Sequence, residues 1–93
     1  MKLQISRRAR RDIDAIGRYI KARNQVAAKR VGDAIRSALM TLTVHPHAGC
    51  VVGKGLHRST VPRLPYLIFY KVDVVADVVQ IVTIRHAARR EEH

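Results

Sequence analysis

The sequence is poor in acid, in sulfur and in long apolar runs. Only seven Asp and Glu stand among its 93 residues, against 18 Lys and Arg. A single cysteine, Cys50, excludes an internal disulfide and a cysteine-built zinc site. Stability must therefore come from the core, and the chain suits a reducing compartment. The apolar runs fall far short of the roughly 18 residues of a membrane helix. Met1 to Ser6 leads directly into Arg7-Arg8-Ala9-Arg10-Arg11, with no apolar stretch of signal-peptide length. Internal repeats, low-complexity tracts and linkers are missing as well. These absences predict one cytoplasmic domain over residues 1–93, with no membrane association. A chain this short also excludes a large enzyme built around a deep cofactor pocket, so no cofactor is expected.

What remains is a globular composition with a strong charge bias. Hydrophobic residues make up 47% of the chain, too many for a disordered basic tail. The formal net charge is +11. Thirteen of the 18 basic residues are Arg, the side chain suited to bidentate contact with phosphate or carboxylate. Such a balance favours a polyanion or an acidic protein as partner; its plain alternative is a well-solvated surface.

Periodicity divides the chain in two. Lys2 to Ile5 reads as a short strand, and Ser6 as the N-cap of a helix beginning at Arg7. Ala9, Ile13, Ile16 and Ile20 recur at helical spacing, with Arg7, Arg11, Arg18 and Lys21 opposite and Asp14 among them. Asn24 caps a second helix whose apolar face runs from Ala27 through Val31, Ala34, Ile35, Ala38 and Leu39 to Leu42. It must end near Val44 or His45, because Pro46 disfavours helical geometry in the residue before it. The short connection predicts an antiparallel helical hairpin. Gly49, Gly53 and Gly55 then mark a flexible loop carrying Lys54. Leu56–Val61, Tyr66–Val72 and Val78–Arg85 read as strands, with a turn over Asp73–Asp77. The expected class is α+β, in the order β-α-α-β-β-β, with the helical hairpin packed on a small, mostly antiparallel sheet.

That order, together with Leu64-Pro65-Tyr66-Leu67-Ile68-Phe69-Tyr70-Lys71-Val72 and the terminal His86-Ala87-Ala88-Arg89, resembles the RelE/ParE superfamily of bacterial type II toxin–antitoxin toxins. The Pro-Tyr strand and the His-x-x-Arg ending are similar to the ParE-like branch. Arg58 matches an arginine common on the preceding strand, and Ala9, Asp12, Ile13, Ile16 and Tyr19 follow the family's first-helix pattern. Leu64 departs from the usual aromatic, and Arg90 from a frequent Asp. The resemblance implies a toxin that inhibits DNA gyrase and is neutralised by a small acidic antitoxin. The alternative within the superfamily is an endoribonuclease that cleaves mRNA on the ribosome. A basic nucleic-acid-binding domain is a third reading, resting on charge alone.

RNA cleavage needs a group to activate the ribose 2′-OH, a group to protonate the leaving oxygen, and cations on the phosphate. His86 is the one well-placed side chain with an ordinary pKa near neutrality, and Arg58, Arg85 and Lys54 are the accompanying candidates. Its structural alternative is a hydrogen-bonded residue at a strand end. For target binding the candidates are Arg58, Arg85, His86, Arg89 and Arg90. Tyr66 and Tyr70 share strand parity with Ile68 and Val72, so core packing is favoured over base stacking. A metal site from His45, His47 and His57 lacks supporting ligand spacing, and Cys50 has no neighbouring base to activate it. Leu67 and Phe69 carry apolar groups on the opposite parity of the same strand. On the last strand Val79, Ile81 and Thr83 alternate with Val78, Gln80, Val82 and Ile84, so both sheet faces carry apolar groups. This predicts a groove on the uncovered face suited to an amphipathic segment. Leu67 and Phe69, with Arg7, Arg11 and Arg18 on the first helix, are the antitoxin-binding candidates.

Overall fold

The computed structural model describes residues 1–88, in the order β1 (Lys2–Ile5), α1 (Arg7–Lys21), α2 (Gln25–Val44), β2 (Cys50–Gly53), β3 (Leu56–Thr60), β4 (Tyr66–Asp73) and β5 (Val78–His86). Both helix starts follow from their caps. The Ser6 hydroxyl accepts a hydrogen bond from the Ala9 N–H at 3.0 Å, and the Asn24 carboxamide oxygen accepts one from the Ala27 N–H at 3.0 Å. Each satisfies an amide that the first helical turn leaves without a partner.

The strands form one sheet, ordered β1-β5-β4-β3-β2. β1 runs parallel to β5, which the long connection through the helical hairpin and three strands permits; every other pairing is antiparallel. The helices pack on β1 and β5, α1 against β5 and α2 against both. Ala9 of α1 and Ile35, Leu39 and Leu42 of α2 meet Ile68, Tyr70, Val79, Ile81 and Ile84 in the core. Among the described residues no helix covers the other sheet face.

Two sequence expectations need correction. The segment after Pro46 is not all loop: Cys50–Gly53 forms an edge strand, paired with β3 through Cys50–Arg58 and Val51–His57. What orders it is Tyr70. The buried phenol donates to the Pro46 carbonyl at 2.8 Å and accepts from the Gly49 N–H at 3.0 Å, fastening the segment to the sheet. A Cβ at Gly49 would come within 2.5 Å of the Arg58 carbonyl oxygen and 2.7 Å of the Tyr70 hydroxyl, so only glycine fits there. Glycine at this point serves close approach rather than flexibility.

The second correction concerns β5, which does not alternate strictly. Phe69 pairs with Thr83, but Tyr70 pairs with Ile81, leaving Val82 as an extra residue. This bulge shifts the phase of every residue beyond it. Val79 and Ile81 face the helices before the bulge, and Ile84 is again buried after it.

Candidate functional site

The face without helices is built from β3, β4 and β5. Residues paired across a ladder share a face. Arg58 therefore lies beside Phe69, and Thr60 and Arg85 flank Leu67. Arg58 is exposed, while Leu67, Phe69 and Arg85 are half-buried. The Arg85 guanidinium carbon stands 5.6 Å from the Phe69 ring centroid, within cation–π range. Its Nε is buried without a hydrogen-bond partner among the described residues. Among those residues the one ion pair is Lys29–Asp33, at 3.7 Å on the exposed side of α2, so it neutralises neither arginine. The result is an aromatic ring with the Arg85 guanidinium beside it and Arg58 opposite it on the neighbouring strand, on a surface that the rest of the described chain leaves uncovered.

His86 is not on that face. It pairs with Tyr66, which is buried, and its ring meets the Tyr66 ring edge-on at 5.5 Å. Its Nδ1 accepts from the Ala88 N–H at 3.2 Å. His86 lines a crevice of about 400 Å³ with Asp12, Ile16, Tyr19, Tyr66 and Ile84, between α1 and the ends of β4 and β5. Arg85 borders this crevice as well, at the margin between the two faces.

The remaining sequence candidates are distributed widely. Lys54 sits in the β2–β3 turn beside Gly55, whose φ of 70° favours glycine there. Arg7, Arg11 and Arg18 are exposed on α1. Arg89 and Arg90 lie outside the described residues. The wider apolar openings lie away from Leu67 and Phe69. One, of about 630 Å³, lies between α1 and α2, lined by Ile13, Ile16, Val31 and Ile35 with Arg18 and Lys21 at its rim.

His57 stacks on Tyr70 with centroids 5.1 Å apart, and His47 meets His57 edge-on at 5.9 Å. No group of three His, Cys, Asp or Glu side chains among the described residues is placed to hold a metal ion. Burial pushes the Tyr70 phenol above its ordinary pKa; the hydrogen bond from Gly49 opposes this, and nearby Cys50 adds to it. Sequence reasoning missed Asp12 as a polar anchor. Its carboxylate accepts from the Thr83 hydroxyl at 2.6 Å and from the Ile84 N–H at 3.0 Å, 71 and 72 residues away in the chain. Its place near the buried stripe of α1 was the available signal.

Residues 3–91 match the family of ParE toxins of the type II toxin–antitoxin system parDE, and the chain belongs to that family. It is thus the toxin component of such a system, with a cognate antitoxin as partner. Solved structures agree in fold. A chain of the chromosomal ParDE toxin–antitoxin system from P. aeruginosa superimposes with a TM-score of 0.80 at 23% identity, covering 92% of this chain and 95% of that one. A chain of the RelBE2 toxin–antitoxin complex from Mycobacterium tuberculosis gives 0.70 at 19% identity, covering 91% and 95%. The isolated E. coli RelE toxin gives 0.71 at 18% identity, covering 97% and 87%. No curated protein sequence matches the chain.

Proposed function

We propose that this toxin inhibits DNA gyrase by binding it through the open sheet face, with Arg58, Phe69 and Arg85 at the contact. The observation that carries the reading is the division between the faces. The two arginines flank an aromatic ring on the open face, whereas His86 is turned toward Tyr66 on the helix side of the sheet, in a crevice that Arg85 only borders. Aromatic and arginine side chains are the groups that dominate protein interfaces. An acid–base mechanism instead requires a titratable group within hydrogen-bond reach of the phosphate that the arginines hold. Membership of the ParE family favours the same choice.

The antitoxin is an acidic protein that neutralises the toxin by covering Leu67 and Phe69 and pairing with Arg7, Arg11 and Arg18. A net charge of +11 would steer that encounter. Among the described residues no helix is long and apolar enough to cross a membrane, and a cytoplasmic site of action accords with this partner and target.

Purified toxin is expected to inhibit gyrase supercoiling and to leave mRNA intact on translating ribosomes. Codon-positioned mRNA cleavage together with undiminished supercoiling would overturn the proposal in favour of a ribosome-dependent endoribonuclease.

A further inference from the structure

β5 carries one residue more than β4 can pair, and the consequence reaches the open face. With Val79 and Ile81 facing the helices, strict alternation would turn Arg85 to the helices as well. It would send Ile84 and His86 to the open face. The extra residue at Val82 reverses this: Ile84 is buried, His86 meets Tyr66, and Arg85 lies beside Leu67 and Phe69. The bulge therefore decides which of two adjacent side chains, a guanidinium or an imidazole, is presented.

The groups that hold the bulge come from α1 and its cap. The Ser6 hydroxyl donates to the Val82 carbonyl at 2.8 Å, and the Ser6 N–H donates to the Ile81 carbonyl at 3.0 Å. On the far side of the bulge Asp12 receives both the Thr83 hydroxyl and the Ile84 N–H on one carboxylate oxygen. Thr83 is only 5% exposed, so its hydroxyl has little access to water in place of Asp12. Hydrogen bonds to an ionised acceptor are roughly twice as strong as neutral ones, which suits Asp to this place better than Asn.

We propose that Asp12 is a positioning residue, whose carboxylate holds the β5 bulge in the phase that delivers Arg85 to the open face. The functional part of the inference rests on the reading of that face as the gyrase-binding surface. Without the carboxylate, the Thr83 hydroxyl and the Ile84 N–H lose their acceptor. Regular pairing with β4 then competes with the bulge, and its one-residue slip withdraws Arg85 from Phe69.

Nuclear Overhauser effects between the Arg85 side chain and the Phe69 ring test the placement directly, without reference to any target. They are expected to be strong in the wild type, weakened in Asp12→Asn and lost in Asp12→Ala, while amide dispersion persists. Should Asp12→Ala not fold, the same signals are read in Thr83→Val, where they are expected to weaken. Undiminished effects in the folded variant overturn the proposal.

In the supercoiling assay Asp12→Ala is expected to lose about as much inhibition as Arg85→Ala. The double variant should be no weaker than Arg85→Ala alone, since two residues acting through one contact are non-additive. Losses that multiply would overturn the functional part. If wild type and Arg85→Ala inhibit equally, the gyrase-surface reading fails, and the Arg85–Phe69 signals alone decide the role of Asp12.

Discussion

The two faces of the sheet use the same strands for different ends. Toward the helices, Ile68, Tyr70, Val79 and Ile81 are fully buried, and each such side chain stabilises the fold by about 1.5–3 kcal/mol. Toward solvent, Leu67, Phe69 and Arg85 are only half-buried and Arg58 is exposed. The first face explains why the chain folds, and the second why it carries arginines around an aromatic ring. Alternation along β4 separates the two directly, one parity to each face. β5 needs a bulge to achieve the same separation.

Substitutions on the two faces should therefore fail in different ways. The largest effect belongs to the helix-covered face. Ile68→Ala is expected to destabilise the protein by about 2–5 kcal/mol, measured as a fall in the urea midpoint. Arg58→Ala should leave that midpoint within about 0.5 kcal/mol of wild type, and Arg85→Ala, which gives up the contact with Phe69, within about 1 kcal/mol. Each should nevertheless weaken target binding by about 1.5–3 kcal/mol, roughly 10- to 150-fold. A matching loss of stability in the arginine variants would erase the distinction between the faces.

Tyr70 sharpens the comparison, because it is a core residue with a polar duty. Tyr70→Phe keeps the ring but leaves the Gly49 N–H without its acceptor, at an expected cost of about 1–3 kcal/mol. Gly49→Ala should cost a similar amount, about 1–3 kcal/mol, through overpacking against the Arg58 carbonyl and the Tyr70 hydroxyl. The phenol also predicts a pH dependence. Burial raises its folded-state pKa above the unfolded value of about 10. Its contribution to stability is then complete below about pH 10 and is lost as pH rises from there through the raised folded value. Urea midpoints across pH 8 to 11 should fall at the alkaline end in the wild type, and fall less in Tyr70→Phe.

The smallest expected effect is at His86. Removing its edge-on contact with Tyr66 should cost about 0.5–1.5 kcal/mol of stability. Supercoiling inhibition should barely change in His86→Ala, whereas a general acid or base would give up roughly 10²–10⁴-fold in rate.

Much of this division was legible in the residues. Ser6 and Asn24 announce the helix starts through their capping chemistry, and the burial of Tyr66, Ile68 and Tyr70 follows from the parity of one aromatic, β-branched strand. Cys50–Gly53 was hidden because its glycines read as flexibility, when Gly49 in fact admits a phenol held by a strand 21 residues away. The side on which Arg85 and His86 emerge was hidden for a related reason. A bulge leaves no local signature in Val-Val-Gln-Ile-Val-Thr-Ile-Arg-His; what holds it is a carboxylate on α1, more than 70 residues earlier. Features set by local chemistry could be read directly, and features set by long-range hydrogen bonds could not.

The central claim is that the open face acts and the covered face supports. Its most direct test is a supercoiling titration of wild-type toxin against the Arg58→Ala/Arg85→Ala double variant, with thermal unfolding followed in parallel. The account predicts nearly unchanged unfolding and at least about a tenfold loss of inhibition. Equal inhibition by the two proteins, at equal stability, would contradict it.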